Sequence, residues 1–316
     1  MALPSNTFTT YGAIGNREDL SDIIYRIDPT ETPFVSMVER EKATAVNHEW
    51  QTQALDTRDL SNAVLEGDDA TTDAATATVR LGNICQISDK VARVTGTQQQ
   101  VKHAGRGDEL AYQEMLKGLA LKLDMDAILS GTNAAKNAGN TTTARVTATV
   151  LSWIKTNTSK GSGGSDPSAA DGTGTRTDGT QRAYTEANLK VVLQSIWTNG
   201  GKPTDIMLGG FNKQVMSTFT GRGTPTEDTK AKKVTAAVSI YESDFGVLKI
   251  TPSRQLRARD VLIIQPDMWA IAFLRNMVST DLAKTGDSER RQILSEYALV
   301  ARNEKSSGIV ADNTTS

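Results

Sequence analysis

Cysteine and histidine are scarce in this chain, and neither charge sign is in large excess; each of these features argues against a class of protein. One cysteine cannot form an internal disulfide, which excludes a disulfide-stapled secreted scaffold. Two histidines offer few metal ligands and few bases for nucleophilic catalysis. With 35 Lys+Arg against 37 Asp+Glu, the net charge is −2, so the chain lacks the basic surplus that proteins use to grip nucleic-acid phosphates.

Long apolar runs and chemical motifs are also missing. No run reaches the length of a signal peptide or a bilayer crossing, so we expect a protein that folds in a reducing cytoplasm, with no membrane partner. His48, His103 and Cys85 lie far apart, and the glycine-rich stretches 161–164 and 209–213 lack the context of a phosphate-binding loop. The sequence therefore predicts no catalytic, cofactor-binding or metal site.

The first ninety residues read as an arm followed by a long finger. In the arm, 1–42, we expect a short helix at 18–25 and an apolar group at 34–38 that docks on an apolar surface. The stretch 43–94 alternates like β-strands at both ends, whereas its middle, 54–78, is polar and acidic. Such a two-stranded ribbon with a flexible tip is marginal in water, so it needs a partner surface to be ordered.

The strongest helix signal spans 108–130 and predicts a spine roughly 35 Å long at ~1.5 Å per residue. Glycines precede and follow it, and acidic residues occupy its first turn. The tryptophans at 50, 153, 197 and 269 are expected to be core anchors. The apolar residues expected to form the buried stripe of the spine are Leu110, Tyr112, Met115, Leu116, Leu119, Ala120, Leu123, Ala127 and Ile128.

The remaining segments predict an α+β fold. Residues 155–181 are rich in glycine, serine and threonine and predict a flexible surface loop that buries nothing large. From 184 to 245, a helix capped by Thr185, a strand and a second helix form one α/β unit. The chain from 246 to 316 is rich in β-strand patterns.

Five stretches in this order carry a family resemblance. They are DLSDIIYRIDPTETPF at 19–34, NICQIS at 83–88, GDELAYQ at 107–113, LAKTGDSERRQ at 282–292 and EYALVARNEKSSGIV at 296–310. The chain resembles the SU10-type major capsid family, whose members have the HK97 fold of tailed-phage capsids.

The resemblance implies a set of domains and partners. Residues 1–42 would be the N-arm and 43–94 the E-loop, an extended β-hairpin lying over a neighbouring subunit. Residues 95–183 and 246–316 would form the peripheral P domain, and 184–245 the axial A domain. The subunit would form hexamers and pentamers of an icosahedral or prolate virion shell around double-stranded DNA, which it would touch only by weak non-specific contacts. Portal, scaffold and decoration proteins are further implied partners, with assembly in the cytoplasm of a bacterial host.

Charge suggests how the finger meets its neighbour. We expect its acidic tip to face a basic surface on an adjacent subunit, because complementary charge sets the register of association. Lys–Asn cross-links between subunits occur in some relatives by fold, but no positions here match that chemistry. The acidic candidates are Glu66, Asp68, Asp69 and Asp73, and the basic candidates are Lys230, Lys232 and Lys233, or Arg254, Arg257 and Arg259.

Other classes stay open at this point. A cytoplasmic α/β enzyme would be a monomer or small oligomer with a pocket of convergent polar groups. An encapsulin-like shell protein would share the fold and differ in cargo, and a tail-tube protein would form rods.

Overall fold

The structure contains both helices and strands, consistent with the predicted α+β fold class. The computed structural model describes residues 27–69, 74–219 and 239–315. The helices are α1 (Pro33–Met37), α2 (Gly96–Gln100), α3 (Glu109–Gly131), α4 (Val150–Trp153), α5 (Glu186–Thr198) and α6 (Gly210–Met216). The strands are β1 (Glu39–Lys42), β2 (Asn47–Thr52), β3 (Val79–Ile84), β4 (Gln86–Thr95), β5 (Thr158–Ser159), β6 (Asp205–Leu208), β7 (Ile240–Ser243), β8 (Gly246–Pro252), β9 (Val261–Ile264), β10 (Trp269–Asp281), β11 (Ser288–Ala301) and β12 (Gly308–Val310).

The end of the arm docks on the body as its apolar residues predicted. Helix α1 begins at Pro33, whose fixed φ suits the first turn of a helix. Phe34 and Val35 follow and are buried in the main core. The helix predicted at 18–25 lies outside the described residues.

A four-stranded sheet forms the centre of one half of the molecule. Its strand order is β1, β10, β11, β4, with β1 parallel to β10 and the other pairs antiparallel. The β10–β11 pairing runs from Trp269 opposite Ala301 to Asp281 opposite Arg291. Helix α3 packs along β4 and β11, so it braces the sheet lengthwise.

The spine helix α3 forms where it was predicted, but a different stripe of residues faces the core. Its N-cap is Asp108, whose carboxylate accepts the Ala111 N–H at 3.0 Å. The buried apolar residues along its last turns are Leu121, Met125 and Leu129, one helical turn apart. Within the predicted stripe Leu110 is buried, Met115 is exposed and the other seven residues are half-buried.

A six-stranded sheet forms the second half, with the order β5, β12, β9, β6, β8, β7. The unbroken apolar sequence of β9 is typical of a strand buried on both faces, and all four of its residues are buried. Val261 and Ile263 point into a core with α5 and α6. Leu262 and Ile264 point into the core shared with the four-stranded sheet, so the two sheets are joined by continuous packing.

The boundary predicted between 245 and 246 falls inside a β-hairpin. Strands β7 and β8 are antiparallel, with Ser243 opposite Gly246, and β8 also pairs in parallel with β6. The unit that contains α5, β6 and α6 therefore also contains β8 and β9. The boundary was implied by the family resemblance and not by a local pattern at this turn.

Residues 155–181 are folded against the body, which corrects the expectation of a flexible surface loop. The Arg176 side chain is buried, and its guanidinium donates to the Ile154 carbonyl at 3.1 Å and to the Asp166 carboxylate at 2.6 Å. Thr158 also donates to Asp166, at 3.0 Å. Hydrogen bonds and ion pairs order this segment where apolar burial cannot, because buried polar groups need partners.

Asp312, four residues before the last residue of the chain, closes the same loop. Its carboxylate accepts the N–H of Gly161 at 3.0 Å and of Gly179 at 2.9 Å. A Cβ at Gly161 would lie 2.0 Å from the Thr180 carbonyl oxygen, so glycine is required for this close approach. The low-complexity composition thus reflects tight backbone packing.

The prediction that tryptophans anchor the core holds for Trp153 and Trp269, and Trp50 is half-buried against the same core. Trp153 and Trp269 are fully buried. Trp197 is exposed at the end of α5 and contacts Phe245 in the β7–β8 turn, with ring centroids 5.5 Å apart. The core prediction is therefore wrong for Trp197, whose helix face points outward.

Candidate assembly surface

The finger is the part of the described chain that leaves the body. We define it as β2, β3 and the connection between them, residues 47–84. Strands β2 and β3 are antiparallel, with Asn47 opposite Ile84 and Thr52 opposite Val79, as in the predicted ribbon. The finger is shorter than the predicted 43–94, because β4 pairs with β11 in the four-stranded sheet of the body. Along β2, exposed and half-buried residues alternate, as expected of a ribbon that rests on the body with one face.

Asn83 fixes the base of the finger through four hydrogen bonds. Its amide nitrogen donates to the carbonyls of Leu299, at 2.7 Å, and Ala148, at 3.1 Å. Its amide oxygen accepts the N–H of Ala148 at 2.8 Å and of Ile84 at 2.9 Å. Because Asn83 is fully buried and uses both halves of its amide, β3 is held to β11 and to Ala148, two residues before α4.

Trp50 and Lys136 hold the base from two further sides. The Trp50 indole nitrogen donates to the Ala301 carbonyl at 3.0 Å, and its ring lies 5.5 Å from that of Trp153. The Lys136 ammonium donates to the Gly82 carbonyl at 2.7 Å. The finger therefore leaves the body in a direction set by its base.

The tip of the finger exposes apolar side chains that its own chain does not cover. Leu55 is 98% exposed, Leu60 96%, Val64 84% and Leu65 79%. Burying one such side chain contributes about 2 kcal/mol, so a surface that covered the tip would gain this free energy for each side chain it buried. Sequence reasoning missed these residues because the surrounding segment is acidic, and isolated leucines in a polar stretch are common on protein surfaces.

The acidic residues assigned to the tip are solvent-facing where they are described. Glu66, Asp68 and Asp69 are exposed, and Asp73 lies outside the described residues. The Asp68 carboxylate accepts the Asp69 N–H at 2.9 Å. A tip with apolar and acidic residues side by side suits a partner surface that is apolar with a cationic rim.

The basic candidates divide into three groups. Lys230, Lys232 and Lys233 lie outside the described residues. Arg254 is exposed and forms no ion pair with any residue in the described ranges. Arg254 is therefore the one described candidate whose charge is available to a neighbour.

Arg257 and Arg259 form ion pairs within their own chain, and their contact with an adjacent copy stays a prediction. Arg257 contacts the Asp178 carboxylate at 2.6 Å, and Arg259 contacts Asp312 at 2.7 Å. The hydrogen bond from Arg257 holds the pKa of Asp178 below its ordinary value. These pairs fasten the 155–181 loop, a role that sequence spacing could not show because the partners lie about eighty and fifty residues away.

A buried carboxylate joins the arm to the spine. Asp126 on α3 is fully buried and accepts the Val35 N–H, in the first turn of α1, at 2.9 Å. Burial raises the pKa of Asp126 to about 6. The carboxylate thus tethers the first turn of α1, whose N–H groups have no partner within the helix.

The residues considered for chemistry are dispersed. Cys85 is buried, and burial raises the pKa of its thiol to about 11, so it is unreactive at neutral pH. His48 contacts Glu41 at 2.9 Å, and His103 contacts Gln98 at 2.9 Å, in different parts of the fold. In the described ranges, no group of three or more His, Cys, Asp or Glu is placed to hold a metal ion, and no helix has the length and apolarity to span a membrane.

Comparison with known proteins gives one consistent family. The chain is 28% identical over 347 residues to the major capsid protein of Escherichia phage Phieco32, an alignment that covers 98% of this chain and 97% of the relative. Among solved structures, a chain of the cyanophage A-1(L) capsid asymmetric unit superposes with a TM-score of 0.68 at 13% identity, covering 95% of this chain and 98% of that one. A chain of the native GTA particle capsid gives a TM-score of 0.64 at 8% identity, covering 99% and 100%.

The family model for the SU10 major capsid protein matches residues 4–314, and the architecture has the HK97-like capsid fold. The chain therefore belongs to the SU10 major capsid protein family: it is a structural protein of the tailed-phage virion, a major subunit of its capsid.

Proposed function

We propose that copies of this chain assemble into hexamers and pentamers of a closed head shell around double-stranded DNA, and that each finger is completed by a neighbouring copy. The observation that carries this proposal is the contrast within the finger. Its base is locked by buried hydrogen bonds, while its tip exposes four large apolar side chains. A rigid base with an uncovered apolar tip is preorganised to bind a neighbouring copy, and we call this contact between finger and neighbour the clasp.

Symmetry multiplies the effect of each clasp. A finger that reaches the next subunit makes a head-to-tail contact, and such contacts generate a ring when the rotation closes. Every copy then both gives and receives one finger, so modest single contacts add up to a stable ring. In this arrangement 43–94 acts as the E-loop, 1–42 as the N-arm, and the α5–β6–α6 unit lies toward the centre of the ring as the A domain.

The charge of the chain fits a container for DNA. A net charge of −2 provides no excess of cations to hold phosphates by counterion release. Packaged DNA would then stay mobile against the inner wall. The acidic tip would pair with a basic surface of the adjacent copy, for which Arg254 and the three lysines at 230, 232 and 233 stay candidates.

The proposal also covers the subunit's mode of action, its place of assembly and its other partners. We propose that the subunit acts by association and not by catalysis, and that it assembles in the cytoplasm of a bacterial host. Portal, scaffold and decoration proteins stay predicted partners.

Size and shape of the assembled protein test the proposal. The full chain is purified and examined by size-exclusion chromatography and negative-stain electron microscopy, with a tip variant, Leu60→Ser with Leu65→Ser, as the comparison. We expect closed particles of megadalton mass from the unchanged chain and a large loss of particles from the variant. Rods would indicate a tube protein, and a small oligomer under all assembly conditions would contradict the proposal.

A further inference from the structure

Two arginines lie side by side on the face of the four-stranded sheet that α3 does not cover. Arg93 on β4 and Arg290 on β11 are directly opposite each other in the antiparallel ladder, so their side chains share one face. The next residue of β11, Arg291, contacts Glu114 on α3 at 2.7 Å. Because successive residues of a strand point to opposite faces, Arg290 and Arg93 face away from α3. We call these two side chains the arginine pair.

The arginine pair has no counter-charge in the part of the chain that the structure describes, since neither side chain forms an ion pair there. On this face the first carboxylate along β4 is Asp89, about 13 Å from the arginine of that strand, and it accepts the Gln292 amide at 2.6 Å. Glu289 and Asp281 lie on the opposite face, each paired with another cation, and Asp287, in the turn before β11, pairs with neither arginine. Like charges directly opposite in a ladder are destabilising, so an anion between them would stabilise the sheet.

Neutral partners hold the two guanidiniums in place and leave hydrogen-bond donors free. The Arg93 Nε donates to the Ser288 hydroxyl at 3.1 Å, and an Arg290 Nη donates to the Ala283 carbonyl at 2.6 Å. The Nε of Arg290 is buried and has no hydrogen-bond partner among the described residues. Ser288 is buried and accepts a hydrogen bond from Arg93, so its own O–H is left to donate.

The charge and the donors of this site select the class of ligand. An oxyanion of the phosphate class can carry two negative charges and presents several acceptor oxygens, so one ion can neutralise both guanidiniums. A single carboxylate would leave one positive charge uncompensated. Duplex DNA is held through many phosphates at once, which one pair of arginines cannot contact. The site therefore suits a small free dianion better than a carboxylate or a DNA backbone.

We propose that Arg93, Arg290 and Ser288 bind one free dianionic oxyanion of the phosphate class. The site is complete within one copy of the chain, so this inference does not depend on the proposed function. Strand β4 is at the edge of the four-stranded sheet, and a bridging anion would strengthen its pairing with β11. Because the ion binds the folded chain and not the unfolded one, it stabilises the subunit.

Equilibrium dialysis of the full chain against radiolabelled inorganic phosphate measures the binding directly. We expect saturation at about one phosphate per chain, and a loss of affinity of about tenfold or more in Arg93→Gln and in Arg290→Gln. The matched control is Arg254→Gln, which removes another exposed arginine without an ion pair in the described ranges and should bind like the unchanged chain. Absence of saturable binding, or an equal loss in the control, would overturn the inference.

Stability gives a second readout with a defined sign. In chloride at low ionic strength, Arg93→Gln should unfold at a higher denaturant concentration than the unchanged chain, because it removes a like charge opposite Arg290. Adding phosphate should then raise the midpoint of the unchanged chain more than that of Arg93→Gln. The Arg254→Gln variant gives the general effect of phosphate on stability, which is subtracted. An Arg93→Gln chain that is less stable without phosphate and responds fully to it would contradict the site.

Competition identifies the source of the anion. Neither acetate nor a short DNA duplex, each added at matched ionic strength, should displace the labelled phosphate, whereas sulfate should displace it. Displacement by acetate would contradict the need for a dianion. Displacement by the duplex would assign the site to the DNA backbone and overturn its assignment to a free ion.

Discussion

The Asn83 amide donates to the Leu299 carbonyl at 2.7 Å, tying the returning strand of the finger, β3, to β11. The two residues are separated by 216 positions in sequence. Because β11 is flanked by β10 and β4, a load on the finger passes directly into the four-stranded sheet. The finger is thus a rigid extension of that sheet.

Replacing Asn83 should destabilise the whole subunit. In Asn83→Ala, buried main-chain groups of Ala148 and Leu299 lose their partners, which should lower the free energy of unfolding by about 3 kcal/mol. Chemical denaturation of unassembled subunits measures the change. The control Asn47→Ala removes an exposed amide from the opposite strand and should change stability by less than about 0.5 kcal/mol. Equal effects of the two changes would show that Asn83 is not an anchor.

Trp50 should control how firmly the finger is held. Trp50→Phe keeps an aromatic ring against Trp153 but loses the hydrogen bond to the Ala301 carbonyl, a loss of about 1 kcal/mol. We expect faster hydrogen exchange of the β2 and β3 amides and little change in the spine helix. Exchange in the finger that is unchanged by the substitution would contradict the role given to this bond.

Asp126 should make stability depend on pH in a defined window. Burial raises its pKa to about 6, so the folded state binds a proton more tightly than the unfolded state, whose carboxyl has a pKa of about 4. This contribution to stability is complete below about pH 4 and is lost as the pH rises to about 6; it amounts to about 3 kcal/mol.

The variant Asp126→Asn isolates this effect. Its amide oxygen can still accept the Val35 N–H, and it does not titrate. Burial also raises the pKa of Asp260 to about 6, so the informative quantity is the difference between wild type and variant. Unfolding free energies measured from pH 4 to 7 should show wild type losing stability relative to the variant. Parallel curves would contradict the assignment.

Asp312 should determine whether the 155–181 loop stays folded. Its backbone has a φ of 61°, a conformation that Asn and Asp tolerate better than Ala. Asp312→Ala also removes the acceptor of two glycine N–H groups and of Arg259, so we expect a loss of about 3 kcal/mol and proteolytic cleavage within 155–181. Asp312→Asn should be cleaved more slowly than Asp312→Ala. An alanine variant as resistant to cleavage as the wild type would refute this role.

The sequence predicted best the helices and strands that are determined by residues within or next to the element itself. Strands β2 and β3 follow from alternation, and α3 and α5 from their caps, Asp108 and Thr185, each of which accepts a hydrogen bond in the first turn. What could not be predicted depends on partners distant in the chain. The pairing of Arg259 with Asp312, and the burial of Arg176 in a low-complexity segment, appear only once the fold brings the residues together.

The candidate site shows the same division. Alternation and an acidic middle predicted a finger with a charged tip, but the exposure of Leu60 and Leu65 requires knowing that nothing on the same chain reaches them. A surface pocket between α1, β1, α3 and β10 joins residues up to about 240 positions apart, so no local pattern indicates it.

A cryo-electron microscopy reconstruction of the assembled particle tests most directly whether the finger is completed by another copy. We expect a closed shell in which residues 55–69 of each chain are buried on the body of an adjacent chain. A shell in which the leucines of that segment project into solvent, or fold back onto the subunit that carries them, would contradict this central claim.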